Sequence, residues 1–129
     1  MSAKWVKVYL IICAIYDGVI GLALSLFPIA VFRWFNEDIP HPGFVRFPGL
    51  LLLIFAAMFL RGAADPVGRR DIIVYGAALK IAFCSVVFWY NFRHNVPAMW
   101  VPLAYVDLVF LFLFILAWKV TGTRTQSAA

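Results

Sequence analysis

Three charged residues sit where charge is costly. Lys80 lies near the centre of Ile72–Phe92 (IIVYGAALKIAFCSVVFWYNF), an apolar run with no other charge. Asp17 and Asp107 interrupt two further apolar runs, and Arg46 falls in the first turn of a fourth. A lysine held at mid-bilayer costs about 2.5–3.5 kcal/mol on insertion scales, so its ammonium needs a carboxylate or a wet cavity. Two kinds of chemistry follow. One is a buried ion pair, Lys80 with Asp107, that sets helix order and register while Asp17 is protonated or hydrogen-bonded. The other is a polar pocket for a headgroup, a quinone, a proton or another small polar ligand. Two carboxylates sharing one cation leave one negative charge for a proton to neutralise, which suits proton coupling. Arg46 either snorkels to the interface or turns inward toward Asp17 or Asp107.

The elements that must position these groups are membrane helices. Hydrophobic residues make up 65% of the 129 and charged residues only 13%, with a mean hydropathy of +0.95. Soluble domains are about 45–50% apolar, and a soluble chain this short has no core large enough for the excess. A bilayer removes the difficulty by acting as the solvent. The fold class expected is all-α: an integral membrane four-helix up-down bundle forming one domain. The spans are expected near 6–27, 44–60, 72–92 and 98–118, each close to the roughly 20 residues that cross a hydrocarbon core, with a disordered tail over 119–129. The basic N-terminus followed by a long apolar run reads as a retained signal-anchor helix.

Within the spans the small and polar residues fall in stripes. Asp17, Gly18, Gly21 and Ser25 share one side of the first helix, and small residues there let a neighbouring backbone approach. Gly76, Lys80 and Cys84 share a face of the third, and Ala104 and Asp107 one of the fourth. Trp5 and Tyr9 are expected at the first interface, and Trp89 and Tyr90 at the opposite one. Pro28 ends or kinks the first helix, and Ile29–Phe35 continues as an amphipathic interfacial segment. The second helix is expected to become regular only near Phe47, after Arg46. Asn91, Arg93, His94 and Asn95 read as a turn before Pro97.

The three buried charges also match in depth. At about 1.5 Å per residue, Asp17 lies about 18 Å from Trp5, Lys80 about 14 Å from Asp71, and Asp107 about 17 Å from Trp118. All three therefore reach the middle of a core about 30 Å thick.

Charge counting sets the orientation. Lys4, Lys7, Arg61, Arg69, Arg70, Lys119 and Arg124 fall on one side, against Arg33, Arg46 and Arg93 on the other. The excess of Lys and Arg puts both termini in the cytoplasm. The net charge of +5 is spread over the ends of the spans and forms no patch for nucleic acid. Cys13 and Cys84 lie on separate spans and read as reduced core residues. The polar loop NEDIPHP holds Glu37, Asp38 and His41. It reads as a water-facing turn, with a metal or proton site as the minority alternative. No metal-ligand spacing and no nucleotide-binding motif occurs, so no cofactor is implied.

Several short motifs resemble the DoxX-like superfamily of small four-helix membrane proteins. They are YDGVIGLALSLFP in the first helix, RFPG (Arg46 to Gly49) at the start of the second, the turn from Gly62 to Pro66, and Asp107 inside the last helix. The resemblance implies an up-down four-helix bundle, and a bacterial cytoplasmic membrane is the expected location. Its members include a subunit of a thiosulfate:quinone oxidoreductase and proteins linked to redox maturation. It carries over no catalytic residue, and this chain lacks the paired cysteines that thiol-handling members use. The function expected is a small accessory or ligand-binding membrane protein, part of a larger complex or a homo-oligomer, holding a membrane lipid or a quinone-like ligand. A proton-coupled transporter acting as an oligomer, and a membrane enzyme acting on a lipid or quinone, are the alternatives.

Overall fold

The computed structural model describes residues 4–93 and 99–128, with side chains to Gly122. Five helices follow one another: α1 (Lys4–Leu26), α2 (Pro28–Trp34), α3 (Pro42–Ala64), α4 (Asp71–Arg93) and α5 (Trp100–Ala128). Four of them, α1, α3, α4 and the first 23 residues of α5, are long and apolar enough to cross a membrane. The chain is thus an all-α, four-helix membrane protein, with α2 as a short addition.

Local chemistry explains where the helices start and stop. α1 ends at Leu26 because Pro28 has no N–H to continue the ladder. Pro28 then opens α2, whose Phe32 turns inward while Trp34 faces out. Asn36 adopts a left-handed φ of 56° after α2, a conformation asparagine tolerates better than most residues. α3 begins earlier than Phe47, because Pro42 sits at its first position and the His41 Nδ1 accepts a hydrogen bond from the Gly43 N–H at 3.1 Å. Pro48 lies inside α3, which spans 23 residues from Pro42 to Ala64. α5 does not end at Trp118. Its backbone stays helical to Ala128, through most of the segment expected to be disordered. Asn91 and Arg93 belong to α4, and the rest of the expected turn, with Ala98, lies outside the described residues.

The bundle is two tight antiparallel pairs set against each other. α1 packs on α3 and α4 on α5, whereas α3 and α4 touch sparingly. In the first pair the backbones meet at glycine. A Cβ built on Gly21 would lie 2.7 Å from the Gly49 carbonyl oxygen, and one on Gly49 2.7 Å from the Ser25 nitrogen. In the second pair, the Cys84 thiol donates to the Ala104 carbonyl at 3.3 Å. Just before α4, the Arg70 guanidinium donates to the Trp118 carbonyl of α5 at 2.6 Å.

Large side chains bridge the two pairs over one half of the bundle. Phe59, Phe114 and Tyr9 are buried there, with ring centroids 5.6 Å apart for Phe59–Phe114 and 5.1 Å for Tyr9–Phe114. Gly76 makes room for Phe59 and Phe114, since a Cβ would meet Phe114 at 2.6 Å. Tyr9 is not an interfacial anchor: its hydroxyl donates to the Phe110 carbonyl at 2.6 Å across the bundle. Burial of the ring among the Phe side chains draws Tyr9 inward, and Trp5, one turn earlier, packs against the same core with its indole nitrogen buried.

Candidate functional site

Asp17 on α1, Lys80 on α4 and Asp107 on α5 meet at the edge of this aromatic floor. The stripes explain the meeting. Tyr9, Cys13 and Asp17 are buried and repeat every four residues; Tyr9 and Asp17 reach the second pair, while Gly21, one turn further, meets α3. Gly76, Lys80 and Cys84 do the same on α4. On α5, Ala104, Asp107, Phe114 and Ala117 are buried on a common face. The Lys80 Nζ lies 3.1 Å from Asp17 Oδ1, 3.4 Å from Asp17 Oδ2 and 3.3 Å from Asp107 Oδ1. The ammonium therefore bridges both carboxylates, with Asp17 the nearer, rather than pairing with Asp107 alone. The rings of Phe110 and Tyr16 flank it, with centroids 5.2 and 5.5 Å from Nζ, close enough for cation–π attraction.

Burial within the cluster is uneven. The side chains of Lys80 and Asp17 are 1% and 2% exposed, and that of Asp107 is 9% exposed. Lys80 engages only Oδ1 of Asp107. With all three groups ionised, one cation faces two anions, so the cluster carries a formal charge of −1. An added anion about 5 Å from that charge meets about 3 kcal/mol of repulsion at an effective dielectric constant of about 20.

Above the cluster the bundle is hollow. A cavity of about 490 Å³ runs from Asp17, Lys80 and Asp107 between the two pairs, within the usual size range of small-ligand sites. Its walls are apolar: Leu24 and Ile20 from α1, Leu52 and Phe55 from α3, Phe83 from α4 and Trp100 from α5 are representative. α3 and α4 converge where Gly62 meets Ile72 and diverge toward Pro48 and Val86, which border the cavity and face outward. The cavity thus opens sideways, between helices, at hydrocarbon level. A smaller cavity of about 190 Å³ adjoins it, sharing Leu24, Pro48 and Trp100 and reaching Asp38.

One polar group in the wall was not legible from composition. The Tyr16 hydroxyl is buried and has no hydrogen-bond partner among the described residues, and Tyr16 lines the cavity. Its position next to Asp17, on the edge of the polar stripe, is the signal that could have found it. Trp100 contributes an apolar wall: it packs edge-on against Phe32 and Phe83 and lines both cavities.

Arg46 does not join the cluster. Its guanidinium donates to the Ser25 carbonyl at 2.8 Å. The cause is Pro28, which leaves the last carbonyls of α1 short of donors, and an exposed arginine on the neighbouring helix supplies one. Among the described residues no group of three His, Cys, Asp or Glu side chains is placed to hold a metal ion, and His41 is occupied in capping α3. Cys13 and Cys84 are both free and buried.

Fold and site together define a small four-helix membrane protein with a buried ion cluster beside an intramembrane cavity. No family model, curated protein or solved structure matches the chain.

Proposed function

We propose that this protein is a membrane-embedded binding protein for an amphiphile of the lipid or quinone kind. The observation that carries the reading is the cavity of about 490 Å³ with its polar groups gathered at the deep end. Such sites typically join an apolar wall to a few placed polar groups, and ionisable residues inside a membrane mark ligand or ion pathways by default. The aromatic floor of Phe59, Phe114 and Tyr9 closes the bundle below the cluster. That closure favours holding a ligand over conducting one from side to side. A role as an accessory subunit fits the same geometry, because a bound amphiphile can be presented to a neighbouring membrane protein. The excess of Lys and Arg on the side of the termini supports an orientation with both ends cytoplasmic. The DoxX-like motifs support a bacterial cytoplasmic membrane.

The test is to extract the protein with its surrounding lipid in polymer-bounded discs and identify what travels with it. An amphiphile enriched over the bulk membrane with the native chain, and lost when Leu103→Trp fills the cavity, is the expected result. Identical bulk composition around both proteins would refute the reading.

A further inference from the structure

We propose that the cavity takes its amphiphile head-first and selects a head that donates hydrogen bonds and carries no negative charge, a hydroxyl or an ammonium group. This rests on the reading of the cavity as a binding site and adds the chemistry of its occupant.

The deep end shows its acidic side to the cavity. Lys80 is sealed at 1% exposure, while Asp107, at 9%, is the least covered member of the cluster. Lys80 occupies Asp107 Oδ1, and no other described residue donates to that carboxylate. The remaining oxygen accepts from a ligand and cannot donate while ionised. Tyr16 lines the same cavity, and its hydroxyl, buried without a partner, both donates and accepts. A hydroxyl head donates to Asp107 and can accept from Tyr16. An ammonium head satisfies Asp107 and also neutralises the excess charge of the cluster. A phosphate or carboxylate head places a second anion against the first in a medium that screens poorly.

The orientation follows from the walls. Past the cluster the lining is apolar up to the lateral opening at Pro48, Leu51 and Val86. A hydrocarbon tail lies along those residues and leaves between α3 and α4 into the bilayer. The reverse orientation would press the tail on a carboxylate and an unpaired hydroxyl, leaving both without partners.

Native mass spectrometry of the full chain in detergent micelles tests this. The protein is offered three amphiphiles with one common saturated chain and different heads: a primary alcohol, a primary amine and a phosphate monoester. The expected result is one bound alcohol or amine per chain, with the phosphate at least tenfold weaker. Tyr16→Phe should weaken the alcohol about tenfold, and Asp107→Asn should erase the preference of amine over phosphate. Tyr16→Phe keeps the ion cluster intact, so it reads the site even if Asp107→Asn folds poorly. Binding of the phosphate as tightly as the alcohol would overturn the selectivity and leave the binding reading standing. Failure of all three to bind would overturn both.

Discussion

Replacing Lys80 by methionine keeps most of the side-chain stem and removes the charge. On hydropathy alone the change should help, since an intramembrane lysine is costly. The structure predicts the opposite. Asp17 and Asp107 both sit on one nitrogen, at 3.1 and 3.3 Å, so without it two buried carboxylates face each other. About 6 Å apart at an effective dielectric constant of about 20, they repel by about 3 kcal/mol. Removing one partner from a buried ion pair costs about 3–5 kcal/mol by experience. Lys80→Met is therefore expected to lose about 3–5 kcal/mol of stability. The triple variant Lys80→Met, Asp17→Asn, Asp107→Asn, which leaves no charge to strand, should recover at least half of it. Unfolding in mixed micelles with a rising fraction of SDS, followed by circular dichroism, measures both. A Lys80→Met protein as stable as the native one, or a triple variant no better than the single, would refute the electrostatic argument.

Further outcomes follow from other contacts. Gly21→Leu forces α1 and α3 apart, because even a Cβ there lies 2.7 Å from the Gly49 oxygen. A loss of about 1–3 kcal/mol in the same unfolding assay is expected, whereas Val19→Leu on the exposed face should be neutral. Tyr9→Phe deletes the 2.6 Å bond to the Phe110 carbonyl and should cost about 1 kcal/mol. Cysteines placed at Asp38 and Arg69 should differ in intact cells. A membrane-impermeant maleimide should label the first and not the second, with Cys13 and Cys84 silent because both are buried. Equal labelling would contradict the orientation read from the Lys and Arg count.

The long apolar runs announce four helices because a bilayer sets their length and composition. The depth match of Asp17, Lys80 and Asp107 was legible for the same reason: one residue advances a helix by about 1.5 Å, so position in a span is position in the membrane. What helix pairs with what is not encoded that way. The glycines at 21 and 49 reveal a close crossing only when both are seen on facing sides. Tyr9 reads as an interfacial anchor by composition, yet it lies two turns from Asp17 on the same stripe, and that spacing should have turned it inward. Arg46 is placed by a need on another helix, the open carbonyls before Pro28, which no local pattern announces. The cavity is the least legible feature of all. It is where side chains fail to fill the gap between two pairs, and only their assembled sizes decide that.

The sideways mouth between α3 and α4 sets the terms on which any occupant competes. A solute arriving from water is measured against a dilute background. A guest arriving through the hydrocarbon is measured against the acyl chains that already crowd the opening. Occupancy then depends on mole fraction in the leaflet and on the margin by which one headgroup is preferred to its neighbours. A scarce membrane component would need strong discrimination at the charged end to displace the abundant ones, and an abundant one would need little.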